Sequence, residues 1–295
     1  MGNRFGEKVG LVLVTGFLYS IGIASVGVAA NYIPPVTFTA LRLGIASVVW
    51  CGILLFLRPS YRWSLRGAGE IAAVGLLNAG IPFICLALAV AYISSSLAAV
   101  LFNILPVLTI IIAHFLLADE RLTLIKAAGT ATAVAGATIL LVRNETGLAV
   151  EHSQGWIGQL LIIAASLSGA LGIVCTRSRL HQESPVVLSA GQIFASLIVF
   201  VPLAFAVEGL PALASYSWQG YVATIIAAIS APVLAFLLLF YLINKYSASL
   251  GGFTGIATPL FSVIIGILLL GEVITIPIAV GALLLLAGVW SLHYF

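Results

Sequence analysis

Ten stretches of about twenty residues, nearly free of charge, restrict this chain to one kind of fold. They run over residues 11–30, 36–57, 69–89, 94–118, 123–142, 155–175, 186–207, 220–242, 249–271 and 274–292. A segment of ~20 mostly apolar residues is long enough to cross a ~30 Å hydrocarbon core as a helix. Lipid offers no partner to an unpaired backbone amide, and a closed barrel would show short alternating segments instead, so every stretch is expected to be helical. The loops between them are short and leave no room for a soluble catalytic domain. Composition agrees, with 62% hydrophobic and 7% charged residues and a mean hydropathy of +1.23. The expected fold class is all-α and integral to the membrane, with ten transmembrane helices.

The chain also repeats itself. A segment from Tyr92 to Leu141 returns, modified, from Tyr246 to Ser291. Pro106 matches Pro259 at an offset of 153, while Glu120, Gly129 and Gly136 match Glu272, Gly281 and Gly288 at an offset of 152. Each copy is an apolar segment interrupted near its middle by proline, a terminal glutamate, and a second apolar segment with two glycines seven apart. Pro35 precedes Arg42 as Pro185 precedes Gln192, and mid-span Pro82 answers Pro232. Between Arg143 and Gly155 lies the most polar connection, which divides the chain into a five-helix repeat over residues 1–147 and a second over 148–295. An odd number of spans per repeat turns the second copy upside down. Such 5+5 inverted-topology repeats belong to secondary transporters, which bind solute near the midplane and rock one bundle against the other.

Orientation is read from the basic residues. Arg4, Lys8, Arg58, Arg62, Arg66, Arg121, Lys126, Arg177, Arg179 and Lys245 fall on the amino-terminal side and only Arg143 on the other. The positive-inside rule then puts both termini in the cytoplasm, with Glu120 ending on the cytoplasmic side and Glu272 on the outer side. The net charge of +3 carries no indication of nucleic acid. Residues 1–30 are too long and too apolar to be a cleaved leader, and the repeat needs them as its first helix. Cys51, Cys85 and Cys175 lie within apolar spans as packed small hydrophobes, so no metal site, disulfide or cofactor is expected.

The paired pattern of a Ser/Ala-rich helix start, Pro106 or Pro259, Glu120 or Glu272, and Gly129/Gly136 or Gly281/Gly288 resembles the drug/metabolite transporter superfamily, in its EamA-type branch. The run from Ala87 to Glu120 is most similar to the YddG-type bacterial exporters of aromatic amino acids. The resemblance implies a basket of ten helices in the inner (plasma) membrane, with a central cavity lined by the spans matching 1, 3, 4, 6, 8 and 9, and alternating access without ATP.

Within that frame, polar groups at mid-membrane depth are the candidates for solute contact. Asn78 and Asn103 come first, since an amide in hydrocarbon needs a partner and can both donate and accept. Tyr19, Ser20, Ser166, Ser168, Ser230, Thr254 and Thr258 form a sparse polar ring at similar depth. Arg42, the only charge well inside a span, reads either as a clamp for a solute carboxylate or as a side chain that snorkels outward or ties to a neighbouring carbonyl. Pro106, Pro259, Pro82 and Pro232 are the expected hinges, because proline frees the carbonyl four residues back, here Phe102 for Pro106 and Gly255 for Pro259. Tyr92 and Tyr246 are repeat mates at opposite faces and are candidate gates. No Asp or Glu sits in a hydrocarbon core, which disfavours a proton-coupled exporter of cations. His114 and Asp119 spell the H-x4-D spacing of membrane acyltransferases, but the repeat mate of the histidine is Ile267. The expected function is therefore export of small zwitterionic metabolites, aromatic or other hydrophobic amino acids foremost, by a monomer in contact with lipid and solute alone. Transport of another neutral metabolite or drug is the alternative, and acyl transfer a remote one.

Overall fold

Residues that cannot continue a helix punctuate the whole chain. The computed structural model describes residues 2–58, 64–117, 123–148, 154–180, 183–210, 213–246 and 248–294. Among these there is no strand, and ten helices follow in order. They are α1 (Gly2–Ala29), α2 (Pro35–Leu57), α3, α4, α5 (Leu124–Val142), α6 (Gly155–Arg179), α7 (Pro185–Glu208), α8, α9 (Ala248–Leu270) and α10 (Ile276–Tyr294). Helix α3 comprises α3a (Leu65–Gly75), a π turn (Leu76–Gly80) and α3b (Ile81–Ala89). Helix α4 is split into α4a (Ser95–Phe102) and α4b (Leu105–Leu116). Helix α8 comprises α8a (Trp218–Ile229), a π turn (Ser230–Ala235) and α8b (Phe236–Lys245). Pro35 and Pro185 open α2 and α7, where a missing N–H costs nothing. Ser64, Ser94, Thr123 and Ser217 cap α3a, α4a, α5 and α8a by accepting from a backbone amide three residues on.

Seven stretches have the length and apolarity of a membrane crossing: 6–29, 35–57, 65–89, 95–116, 155–179, 185–208 and 218–239. The described apolar parts of α5, α9 and α10, residues 126–142, 254–270 and 276–291, are shorter. The chain is thus a multi-pass membrane protein. Trp156, Trp218 and Trp290 are exposed at helix ends, as interfacial aromatics are.

The principal helix contacts cross between the two halves of the chain. Helix α1 packs on α9 and α8a, α2 on α7, α6 on α3b and α4b, and α5 on α10. In the α5–α10 pair the repeat glycines let the backbones meet. A Cβ on Gly136 would lie 2.6 Å from the Gly281 carbonyl oxygen, and one on Gly288 would lie 2.5 Å from that of Gly129. Small residues at such crossings let helices associate by close packing in lipid.

Consecutive helices run in alternating directions, giving a terminal face, where α1 begins, and a distal face. The largest buried apolar cluster, including Val26, Phe38, Ile93, Leu97, Leu101 and Ile162, lies in the distal half. There the segment 143–148 joins the halves: Ser94 N donates to Thr146 O (2.7 Å), Val273 N to Gly147 O (2.9 Å) and Thr275 Oγ1 to Glu145 Oε2 (2.7 Å). At the terminal face Lys245 Nζ donates to Tyr241 and to Glu7 Oε1 (3.0 Å), which also accepts from Tyr246 (2.8 Å). The bonds to Tyr241 and Glu7 hold the Lys245 ammonium above its ordinary range, and the bond to Glu7 raises the Tyr246 phenol.

Candidate functional site

Three helices are irregular at mid-depth, and each irregularity lies near a proline. In α3 the Ile81 amide donates to Leu76, one residue further back than in an α-helix, and Pro82 has no amide to give. The Leu77 carbonyl left over accepts from Ser168 Oγ of α6 (2.9 Å). In α8 the Phe236 amide reaches Ala231, and the Pro232 carbonyl accepts from Trp50 Nε1 of α2 (3.0 Å). π turns of this kind leave carbonyls that buried side chains must satisfy. Each turn is pressed against a glycine from the other half. A Cβ on Gly22 would lie 2.9 Å from Ser230 Oγ, and one on Gly172 would collide with the Asn78 amide oxygen.

Helix α4 breaks outright. Asn103 and Ile104 revert to bonds with the third residue back, donating to Val100 (3.1 Å) and Leu101 (3.0 Å), and Pro106 restarts the helix. Among the described residues, the freed Phe102 carbonyl accepts a long 3.5 Å bond from Ser166 Oγ. The second copy differs from expectation, since α9 runs unbroken through Pro259. Contacts along α9 supply the reason: it lies against α1 over much of its length, and Ser20 Oγ fastens it by donating to Thr258 O (2.7 Å).

The two halves of α4 stand in different surroundings. Residues 95–101 of α4a are all buried, against α9, α6, α1 and α10. In α4b only Val107 and Ala113 are buried, and its packing is chiefly on α6. Among the described residues, α4a is thus enclosed on all sides, whereas most of α4b is half-buried or exposed.

The predicted polar groups gather in two places. Asn103 (6% exposed) donates Nδ2 to its own helix at Ala99 O (2.9 Å), while its Oδ1 faces Gly255 of α9, whose added Cβ would sit 3.4 Å away. Ser166, Ser20, Thr254 and Thr258 are buried on α6, α1 and α9, the helices that pack against α4a. Asn78 belongs to the other group, where Nδ2 reaches Thr176 Oγ1 of α6 (3.4 Å) beside the Ser168 bond to Leu77. Asn78 thus bonds to α6, whereas Asn103 bonds within α4a and faces α9. Tyr19 meets Phe236 of α8b edge-on (6.2 Å), and Ser230 Oγ is buried without a partner among the described residues.

Arg42 ties to a neighbouring carbonyl rather than snorkelling. It is 2% exposed, donates Nε to Ala227 O of α8a (3.2 Å), and lies over the Phe83 ring at 4.1 Å. Its Nη1 is buried with no partner among the described residues. Tyr92 packs against Gly158 at the distal face, and Tyr246 belongs to the terminal-face cluster with Glu7. His114 is exposed and stacks edge-on with Phe115, while Asp119 and Glu120 lie outside the described residues. Among the described residues no three His, Cys, Asp or Glu side chains could hold a metal ion together.

Sequence reasoning passed over Trp50, Glu208 and the side chain of Glu272. Trp50 is the one tryptophan of five placed well inside a span, and an indole N–H in that position needs an acceptor. Glu208 accepts from the Val36 and Thr37 amides (2.9 and 2.7 Å), and Glu272 from the first amides of α4a. Both sit at helix ends facing another helix's start, a placement visible only once the helices are packed.

The EamA-like transporter family profile matches this sequence twice, over residues 8–142 and 156–293. The chain is 23% identical over 283 residues to an uncharacterized transporter, YoaV, of Bacillus subtilis (strain 168), covering 96% of this chain and 94% of that one. It is 21% identical over 281 residues to an uncharacterized transporter of Archaeoglobus fulgidus, with 95% and 96% coverage. A crystal structure with 19% identity superposes at a TM-score of 0.67 over 96% of both chains, a likeness of fold.

Proposed function

The chain belongs to the EamA-like transporter family, and on that premise we propose that it exports small zwitterionic metabolites, aromatic or other hydrophobic amino acids foremost. It works as a monomer of ten spans in the inner membrane, by alternating access between inverted five-helix repeats. The observation that carries this reading is the contrast within α4. Its distal half is buried throughout, its terminal half is mostly half-buried, and a polar break separates the two at mid-depth. That is the form of a carrier open to one side with its site at the midplane. The basic residues assign the terminal face to the cytoplasm, so this state would load solute from inside, the first step of export.

The chemistry around the break supports the solute class. Asn103 Oδ1 and the weakly held Phe102 carbonyl are acceptors suited to an ammonium group. Arg42, buried without an acidic partner, offers a guanidinium N–H to a carboxylate when α8 moves. Uptake into proteoliposomes tests this with labelled amino acids, nucleosides and sugars offered in parallel. Flux of phenylalanine, tryptophan or leucine that exceeds the nucleosides and sugars is the expected result. Flux confined to sugars or nucleosides would give the site to another neutral metabolite.

A further inference from the structure

The turn that follows α9 reaches across to the start of the broken helix. Gly271 ends α9 at φ +65°, a left-handed conformation that suits glycine. The Glu272 amide donates back to Gly266 O (3.0 Å), which folds the turn against the helix end and aims the carboxylate at α4a. There Oε1 accepts from Ser95 N (2.8 Å) and Ser95 Oγ (2.6 Å), and Oε2 from Ser96 N (3.0 Å). The next amide, Leu97 N, goes to Ser94 Oγ (3.1 Å). The first three amides of α4a are thus satisfied, two of them by a residue from the other half of the chain. A carboxylate at a helix start meets the positive end of the dipole as well as charge-assisted donors.

Two further contacts close the same seam. Ser96 Oγ donates to Ser262 O of α9 (2.8 Å). A Cβ on Gly266 would collide with both Ser96 Oγ and the Glu272 carboxylate, so a side chain there would push α4a from α9. These bonds hold the contact between α4a and α9, one of the four helices that bury α4a.

We infer that Glu272 is the latch of the distal mouth: it holds α4a on α9 while the terminal mouth is open, and each cycle must break its three hydrogen bonds. The inference rests on the alternating-access reading above. It is tested in a background without Cys51, Cys85 and Cys175, carrying Val100→Cys on the sealed face of α4a. An impermeant maleimide is applied to right-side-out and inside-out membrane vesicles. Glu272→Gln should label at least threefold faster than the parent from the distal side, with no such gain from the terminal side. Unchanged distal labelling overturns the latch. A second variant, Ser95→Cys with Glu272→Cys, is joined by a short bifunctional thiosulfonate and released by dithiothreitol. Labelled phenylalanine flux should stop on linking and return on reduction, and flux that continues in the linked protein also overturns the latch. Absence of flux in the parent would instead contradict the transporter reading, and vesicle labelling would still decide the latch.

Discussion

Trp50, Arg42 and Asn103 are three buried side chains whose partners explain their cost. The Trp50 indole satisfies the carbonyl that the α8 π turn releases at Pro232. Trp50→Phe keeps the packing but leaves that carbonyl unpaired, and should lower stability by about 1–3 kcal/mol, measured by denaturant unfolding in detergent. For Arg42, Lys cannot reproduce both the Nε bond to Ala227 and the free Nη1 fork. Arg42→Lys should weaken competition by phenylalanine while leaving phenylalaninamide unchanged; an equal effect on both would remove the carboxylate clamp. Asn103→Ala should weaken phenylalanine binding by about 1–3 kcal/mol with little loss of folded protein. At this scale the sequence marked Asn103 and Arg42 by depth alone. It could not show that Asn78 turns toward Thr176, because helix rotation is set by the fit of Gly172 against α3.

Among the elements, the irregular helices were legible in part. Mid-span Pro82 and Pro232 announced interruptions, and π turns are found beside both. Pro106 marked the break in α4, but its mate Pro259 did not break α9. Proline removes one hydrogen bond, and neighbouring contacts decide whether the helix parts or bends. The glycines behave as their surroundings dictate. Gly172→Ala should cost about 1–3 kcal/mol by overpacking the α3 π turn. Gly10→Ala, on α1 with nothing within 4 Å, should be neutral or stabilise by up to about 1 kcal/mol. Thermal unfolding of the two variants side by side checks both signs. The α5–α10 contact was readable, since glycines two turns apart share a face. The carboxylates of Glu208 and Glu272 were not, because what they cap lies more than 170 residues away.

For the whole molecule, hydropathy and the repeat foretold an all-helical membrane protein, and the EamA-like profile matches residues 8–142 and 156–293. The charge distribution predicts that a reporter fused after Phe295 is active in the cytoplasm and silent outside; the reverse would cost the orientation and the span count together. The central claim, a carrier with one midplane site exposed alternately to each side, is tested most directly by counterflow. Proteoliposomes preloaded with unlabelled amino acids are diluted into labelled phenylalanine. Label should accumulate transiently above its external concentration, and Asn103→Ala should abolish the overshoot. Label that only equilibrates, or that behaves the same in vesicles without protein, would contradict it.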